Sequence, residues 1–154
     1  MLEDIAARRA SGKRVAVLVS GDPGLYSLAQ QVVRRFGPEQ CEVVPAVSAV
    51  QVAFARLGLD WADARIVSAH ARIPELTPAG LGPADKIAIL VGAPASVRWA
   101  AGMAFAIRAS HAAFLGENLT LDDERFRPVT AEQLSVTQAA SLSIVLLIRR
   151  CLLP

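Results

Sequence analysis

Three short loops combine residue types that could bind a polar ligand, and the first of them spans residues 20–27. Its glycines, Gly21 and Gly24, allow the backbone to approach a ligand without a Cβ in the way. Asp22 could accept hydrogen bonds from a ligand hydroxyl or amine, or it could cap the helix that follows. The local pattern leaves both interpretations open. It lacks a Gly-x-Gly-x-x-Gly or Walker-type lysine loop, which disfavours a nucleotide-phosphate site.

The other two loops are residues 45–50 and 68–72, each directly after an apolar run. For Ser48, a helix N-cap is favoured over a catalytic serine, because no Gly-x-Ser-x-Gly elbow surrounds it. His70 alone is more often structural than catalytic, but Arg72 beside it could pair with a carboxylate through two hydrogen bonds. No metal site is predicted, because the two histidines and the two cysteines are far apart in the chain.

Apolar runs alternate with helix-like segments around these loops. Strands are predicted at residues 15–19, 42–44 and 65–68, with helices at 25–36 and 48–57 between them. This order favours an α/β fold with a parallel sheet covered by helices. Ligands bind such sheets at the carboxyl ends of the strands. We therefore expect the three loops to share one rim of the sheet.

The second half of the chain repeats the alternation. We predict strands at 86–91, 111–115, 126–129 and 143–149, and a helix after residues 92–94. Residues 73–85, rich in proline and glycine, are predicted to link an N-terminal lobe (1–72) to a smaller C-terminal α/β lobe (86–154). His111, at a strand start, is predicted to be structural and to lie on the opposite edge.

Composition bounds the class of protein. The chain has 154 residues, of which 53% are hydrophobic and 19% charged, and its net charge is +2. These values argue against a disordered region and against a strongly basic nucleic-acid binder. The apolar runs are too short to span a bilayer, the start does not resemble a secretion signal, and Cys41 and Cys151 are expected to be free thiols. We expect a cytoplasmic protein that binds neither membrane nor nucleic acid.

Taken together, these loops resemble the tetrapyrrole methylases, and most closely their precorrin-6Y C5,15-methyltransferase branch. The similarity runs in order through nearly the whole chain and rests on residues 17–27, 43–51, 55–61, 68–72, 116–119 and 123–125. A single Gly-Asp-Pro would be a weak signal, whereas this ordered set is specific.

The resemblance implies a two-lobed enzyme that uses S-adenosylmethionine to methylate C5 of a late precorrin, with C15 as a second position left open. It places the cofactor in a cleft between the lobes. The cofactor-binding residues it implies are Gly21, Asp22, Gly24, Leu25, Ser48 and Ala49. The substrate-binding residues it implies are Tyr26, His70 and Arg72. It also implies a homodimer, no protein catalytic residue, and decarboxylation by a separate polypeptide.

Three departures from the family pattern leave alternatives open. Ala46 stands where the family has glycine, and Ala71 replaces the glycine of His-Gly-Arg. The family's first strand and its Gly-x-Gly-Pro-Gly loop have no counterpart, so we expect the first strand to be missing and cofactor binding to be impaired. The chain could accordingly be a truncated or degenerate relative that folds and dimerises without binding cofactor. A generic nucleotide-binding module is a third, weaker alternative. For Arg56, a solvated helix face is favoured over contact with substrate carboxylates.

Overall fold

The computed structural model describes residues 1–81 and 83–153 and contains five α-helices, three short 3₁₀ helices and five strands in that part of the chain. The helices are α1 (Leu2–Ala10), α2 (Ala29–Phe36), α3 (Ala49–Arg56), α4 (Pro94–Ala106) and α5 (Ala131–Val136). The strands are β1 (Arg65–Ser68), β2 (Lys86–Val91), β3 (His111–Glu117), β4 (Arg125–Val129) and β5 (Ser143–Arg149). The chain divides into two compact units, Met1–Ser48 and Ala49–Pro154.

The first unit contains α1, α2 and long extended segments. The strands predicted at residues 15–19 and 42–44 were wrong, because neither segment is part of a sheet. Leu18 is 94% exposed and Val44 is 70% exposed. Their apolar sequences favour a strand, but a strand also needs a neighbour for its backbone N–H and C=O groups. The described part of this unit forms no sheet that could supply one.

The first predicted helix is shorter than its apolar spacing suggested. It was expected from residue 25, but α2 begins at Ala29. The intervening residues form a turn in which the amide of Leu25 donates to the carbonyl of Asp22 at 3.1 Å. The hydroxyl of Ser27 then accepts the amide of Ala29 at 3.1 Å. The end of the helix is as predicted, since Gly37 follows Phe36 with a φ of 89°.

The second unit is built on one five-stranded sheet with the order β1-β2-β5-β3-β4. The α/β class and the five strands predicted in this region are confirmed. The expected parallel arrangement holds only for β1 and β2, because the β2–β5, β3–β5 and β3–β4 pairs are antiparallel. Strands buried on both faces are apolar throughout, so their sequences do not reveal the direction of their neighbours.

Helices cover both faces of this sheet. The core on one face joins α4 and α5 to the sheet and includes Val145 and Leu147 of β5. On the other face, α3 packs against β5, whose alternate residues Ile144, Leu146 and Ile148 are fully buried. The central strand β5 is therefore the element on which both layers pack.

The segment between β1 and β2 contains a short 3₁₀ turn at Ala79–Leu81. Across it, Ser68 pairs with Leu90, so the two strands are neighbours in one sheet. The division into lobes with a linker at residues 73–85 stays a prediction. In the described ranges, no helix is long and apolar enough to cross a membrane.

Candidate functional site

The carboxylate of Asp22 joins the first two predicted loops within the first unit. Its Oδ1 accepts the amide of Gly24 at 2.7 Å, which closes a tight turn. Its Oδ2 accepts the amide of Ala46, 24 residues further along the chain, at 3.0 Å. A carboxylate has about four lone-pair directions, so two remain for a ligand donor. Asp22 thus holds the two loops side by side and keeps capacity to bind.

The backbone around Asp22 is shaped for close approach. Gly21 has a φ of 69°, a left-handed conformation that side chains disfavour. A Cβ placed on Gly21 would lie 3.8 Å from the Cα of Ser48 and from the carbonyl oxygen of Val47. Gly21 and Gly24 are exposed, while Ser48 is buried. The two glycines therefore leave an accessible backbone surface next to the second loop.

Tyr26 adds a strained position in the same loop. Its φ is 49° and its side chain is 60% exposed. Leu25, beside it, is half-buried. Residues held at positive φ without being glycine are uncommon and cluster at functional sites. The hydroxyl of Ser27 donates to the carbonyl of Pro23, which ties the strained turn to the loop.

The third predicted loop lies at the carboxyl end of β1, in the second unit. His70 is exposed and its ring lies against Gly92, because a Cβ built on Gly92 would be 2.1 Å from His70 Nδ1. Arg72 is also exposed. The structure thus brings the first two loops together within one unit. That all three loops share one rim stays a prediction.

The residue that shapes the loop under His70 was not identified from the sequence. Ser96 is buried, and its Oγ accepts the amides of Gly92 and Ala93, both at 3.1 Å. It also donates to the carbonyl of Ala93 at 2.8 Å. A serine at the third position of a helix that begins with proline is the signal that could have indicated it.

The end of β3 lies on the same sheet edge as His70. Val91 of β2 and Glu117 of β3 both pair with Ser143 of β5, and Ser68 pairs with Leu90. Glu117 is buried; it accepts the amide of Ala140 at 3.2 Å and lies 3.8 Å from the guanidinium of Arg127. This edge therefore carries an imidazole, an arginine and a buried carboxylate.

The loop that follows β3 contains two more residues in the left-handed region. Asn118 has a φ of 50° and Thr120 a φ of 73°. Thr120 is the less tolerable of the two, because a β-branched side chain at positive φ is an outlier. Residues 116–119 and 123–125 carry part of the family resemblance, but nothing in their local pattern indicates the strain.

Arg56 forms an ion pair with Glu124 of this loop. Its Nε and Nη2 donate to the two carboxylate oxygens of Glu124 at 2.6 and 2.9 Å. The hydrogen bond from Arg56, and then the bond from the amide of Thr120, lower the pKa of Glu124 to about 2. The same pairing raises the pKa of Arg56. As expected for a solvated helix residue, Arg56 is exposed at the end of α3, and its guanidinium also binds a carboxylate 68 residues away, which the sequence did not indicate.

The opposite edge of the sheet carries structural polar residues. His111 is buried; its Nδ1 lies 2.8 Å from Ser110 Oγ and its Nε2 lies 3.0 Å from the carbonyl oxygen of Ala84. The prediction that His111 is structural and on the other edge is confirmed, since it pairs with Arg149 at the end of β5. Lys86, also buried at this edge, binds Asp60 Oδ1 at 2.9 Å and contacts Asp63.

A cavity of about 560 Å³ lies at this opposite edge, between α4, α5 and the ends of β3 and β4. Its rim contains Arg108 and Arg150. Arg108 donates to the carbonyl of Phe105 at 2.6 Å, and Arg150 donates to the carbonyl of Arg108 at 3.1 Å. These arginines therefore satisfy carbonyls at and just beyond the end of α4, which is a common role for basic residues there.

Comparisons with known proteins all indicate the same family. The profile of the Tetrapyrrole (Corrin/Porphyrin) Methylases matches residues 1–135. A cobalt-precorrin-7 C(5)-methyltransferase of Salmonella typhimurium is 36% identical over 134 residues, which are 85% of this chain and 65% of that protein. A decarboxylating precorrin-6Y C(5,15)-methyltransferase of a Sinorhizobium species is 35% identical over 102 residues, 57% of this chain and 24% of that protein.

Solved structures agree. A cobalamin biosynthesis precorrin-6Y methylase from Archaeoglobus fulgidus superposes with a TM-score of 0.67 at 28% identity. The match covers 96% of this chain and 70% of that one. The match thus covers about two-thirds of the Salmonella and Archaeoglobus relatives and about a quarter of the Sinorhizobium relative. Because the family profile covers most of its residues, the chain belongs to the tetrapyrrole methylase family.

Proposed function

We propose that this protein is an S-adenosylmethionine-dependent C-methyltransferase that acts on C5 of a late precorrin in corrin-ring synthesis. Methylation at C15 as well is the open variant of this proposal. The observation that carries it is the 36% identity to a cobalt-precorrin-7 C(5)-methyltransferase over 134 residues. The family profile matches residues 1–135, which include the loops in which Asp22 and His70 lie.

The cofactor-binding role is proposed for the first two loops. The residues are Gly21, Asp22, Gly24, Leu25, Ser48 and Ala49. The carboxylate of Asp22 suits the hydroxyl and ammonium groups of this cofactor, because it has lone pairs beyond the two amides it already binds. The exposed backbone of Gly21 and Gly24 supports close approach of a ligand. Ala46, where the family has glycine, uses its amide for Asp22, so this departure leaves the bridge between the loops intact.

Tyr26, His70 and Arg72 are proposed to bind the substrate. A precorrin carries many carboxylates, and the exposed guanidinium of Arg72 can bind one through two hydrogen bonds. His70, whose ring lies against the flat backbone of Gly92, offers a further polar group at the same strand end. Arg56 is not proposed for this role, because two of its five N–H donors already bind the carboxylate of Glu124.

The reaction needs little acid–base chemistry from the protein. S-adenosylmethionine supplies a methyl group that its sulfonium already activates, and the meso carbon of a reduced tetrapyrrole is electron-rich. The role of the chain is then to bind, orient and exclude water, and orientation can lower a barrier by about 7–11 kcal/mol at best. No protein residue is assigned as nucleophile, acid or base, and no metal ligand is assigned.

The proposal also covers the localisation of the enzyme and its partners. We place it in the cytoplasm as a homodimer without nucleic-acid or membrane partners.

The test is calorimetric titration of the protein with S-adenosylhomocysteine. We expect binding by the unsubstituted chain, weaker binding after Asp22→Ala, and unchanged binding after Glu42→Gln, an exposed carboxylate in the same unit. Absence of heat from a folded, dimeric protein would overturn the proposal and support a relative that assembles without binding cofactor. Equal binding by the Asp22→Ala variant would overturn the role of Asp22.

A further inference from the structure

Arg56, the last residue of α3, forms an ion pair with Glu124 in the loop before β4. The pair is bidentate, with distances of 2.6 and 2.9 Å. The side chain of Arg56 is 46% exposed and that of Glu124 is 20% exposed. A planar guanidinium bound by both carboxylate oxygens has a defined geometry, unlike most surface ion pairs. It therefore fixes the distance between a helix end and a loop.

The loop it holds is strained. Glu124 Oε2 also accepts the amide of Thr120, the residue with a φ of 73°, at 2.7 Å. Asn118, with a φ of 50°, donates from Nδ2 to Asp123 Oδ2 at 2.6 Å. Strained positions of this kind persist only where the surroundings hold them. One carboxylate therefore binds both the arginine and the strained backbone.

This loop lies at the candidate functional edge of the sheet. It starts directly after Glu117, which pairs with Ser143, and Ser143 pairs with Val91 at the end of β2. β2 leads into Gly92, against which the His70 ring lies. The strained loop and the proposed substrate residue His70 thus follow strands that end on one edge of the same sheet.

We propose that Arg56 and Glu124 are positioning residues that hold the loop of residues 118–124 in the conformation required for tetrapyrrole binding. This inference rests on the proposed function. In this role neither side chain needs to contact the substrate, because each acts through its bond to the other. The conformation of the loop, rather than the charge of Arg56, then determines the affinity for the macrocycle.

This role makes a prediction that direct substrate contact does not. If Arg56 bound a substrate carboxylate, Glu124→Gln would release it and leave affinity unchanged or increased. If the pair positions the loop, Arg56→Gln and Glu124→Gln both weaken binding. The double variant is no weaker than Glu124→Gln, which loses the contact with Arg56 and also alters the acceptor of the Thr120 amide. The Arg56→Lys variant, which keeps the charge and loses the two-point geometry, restores only part of the affinity.

The experiment measures binding of uroporphyrin III by fluorescence and of S-adenosylhomocysteine by calorimetry, on the same proteins. The variants are Arg56→Gln, Glu124→Gln, both together and Arg56→Lys, with Arg98→Gln on the exposed surface of α4 as the matched control. We expect roughly tenfold weaker uroporphyrin binding for the first three, within the range seen for residues that act on a site without touching its ligand. Binding of S-adenosylhomocysteine and the urea unfolding midpoint stay as in the unsubstituted protein, which separates positioning from general structural support.

Each other outcome has a defined meaning. Uroporphyrin affinities that are unchanged in Glu124→Gln but reduced in Arg56→Gln would overturn the inference in favour of direct contact. Unchanged affinities in all variants would overturn it while leaving the proposed function intact. If the unsubstituted protein binds neither ligand, the proposed function fails and this inference fails with it.

Discussion

Asp22 should be the residue that couples the first two loops, and replacing it tests that coupling directly. In Asp22→Asn, one oxygen can still accept the amide of Gly24, as Oδ1 does at 2.7 Å. The other position becomes an NH₂ donor and cannot accept the amide of Ala46, which now lies 3.0 Å from Oδ2. Asp22→Ala removes both acceptors. Asp22→Asn thus removes only the hydrogen bond from Ala46 that bridges the two loops, whereas Asp22→Ala also removes the bond from Gly24 that closes the turn.

The free energy that each of these hydrogen bonds contributes depends on how far its groups are exposed to water. A hydrogen bond to a charged group contributes about 1.5–3 kcal/mol when it is protected from water. Gly24 and Ala46 are exposed and Asp22 is half-buried, so water replaces part of each lost bond. We expect the bridge to contribute about 1 kcal/mol and both bonds together about 2 kcal/mol. About 1.4 kcal/mol corresponds to a tenfold change in an equilibrium constant.

Amide hydrogen exchange measured by NMR is the appropriate assay. In Asp22→Asn, the protection of the Ala46 amide should fall about fivefold, while the Gly24 amide keeps its protection. In Asp22→Ala, both amides should lose protection. Glu42→Gln, which alters an exposed carboxylate in the same unit, should change neither. Unaltered protection at Ala46 in Asp22→Asn would refute the bridge.

Two further changes test the other unit. The hydrogen bond that Lys86 donates to Asp60 lowers the pKa of Asp60, and the bonds that Lys86 donates to Asp63 and then to Asp60 raise its own pKa. Stability from Asp60 is therefore present above its ordinary value of 3.8 and is lost as the pH falls through its lowered pKa. Urea unfolding midpoints should decline below a pH of about 4, and Lys86→Met should flatten that decline; an equally steep decline would contradict the pairing. Gly92→Ala places a Cβ 2.1 Å from His70 Nδ1, so the exposed ring must rotate away. In Gly92→Ala, the unfolding free energy should change by less than about 1 kcal/mol. Uroporphyrin binding should weaken in Gly92→Ala as much as in His70→Ala. Unaltered binding in both variants would show that His70 is not part of the substrate site.

Local patterns were sufficient for much of the second unit. The apolar spacing that predicted α4 and the runs that predicted β2, β3 and β5 depend on residues close together in the chain, and the structure confirms them. The same reasoning failed at residues 15–19. That segment has the composition of a buried strand, but composition does not provide the neighbouring strand with which it would pair.

The candidate site was predicted as a set of residues, and only part of its geometry could be anticipated. Gly21 and Asp22 were identified from their types and from their place after an apolar run. The partner of Asp22 was not, because the amide of Ala46 has no feature in the sequence that marks it as a donor. Likewise, no local pattern indicates that Arg56 pairs with Glu124. The sequence does not indicate the positive φ of Thr120 either, because β-branched residues rarely adopt it.

The order of residues along the chain was enough to indicate the resemblance to the family, the α/β class and the loops proposed to bind ligands, because these signals lie in ordered motifs and in local apolar spacing. Tertiary structure alone decided the strand directions, the contact of His70 with Gly92 and the arginine that holds the strained loop. Those features join segments distant in the chain, and their energies arise only when folding brings the segments within hydrogen-bonding or van der Waals distance.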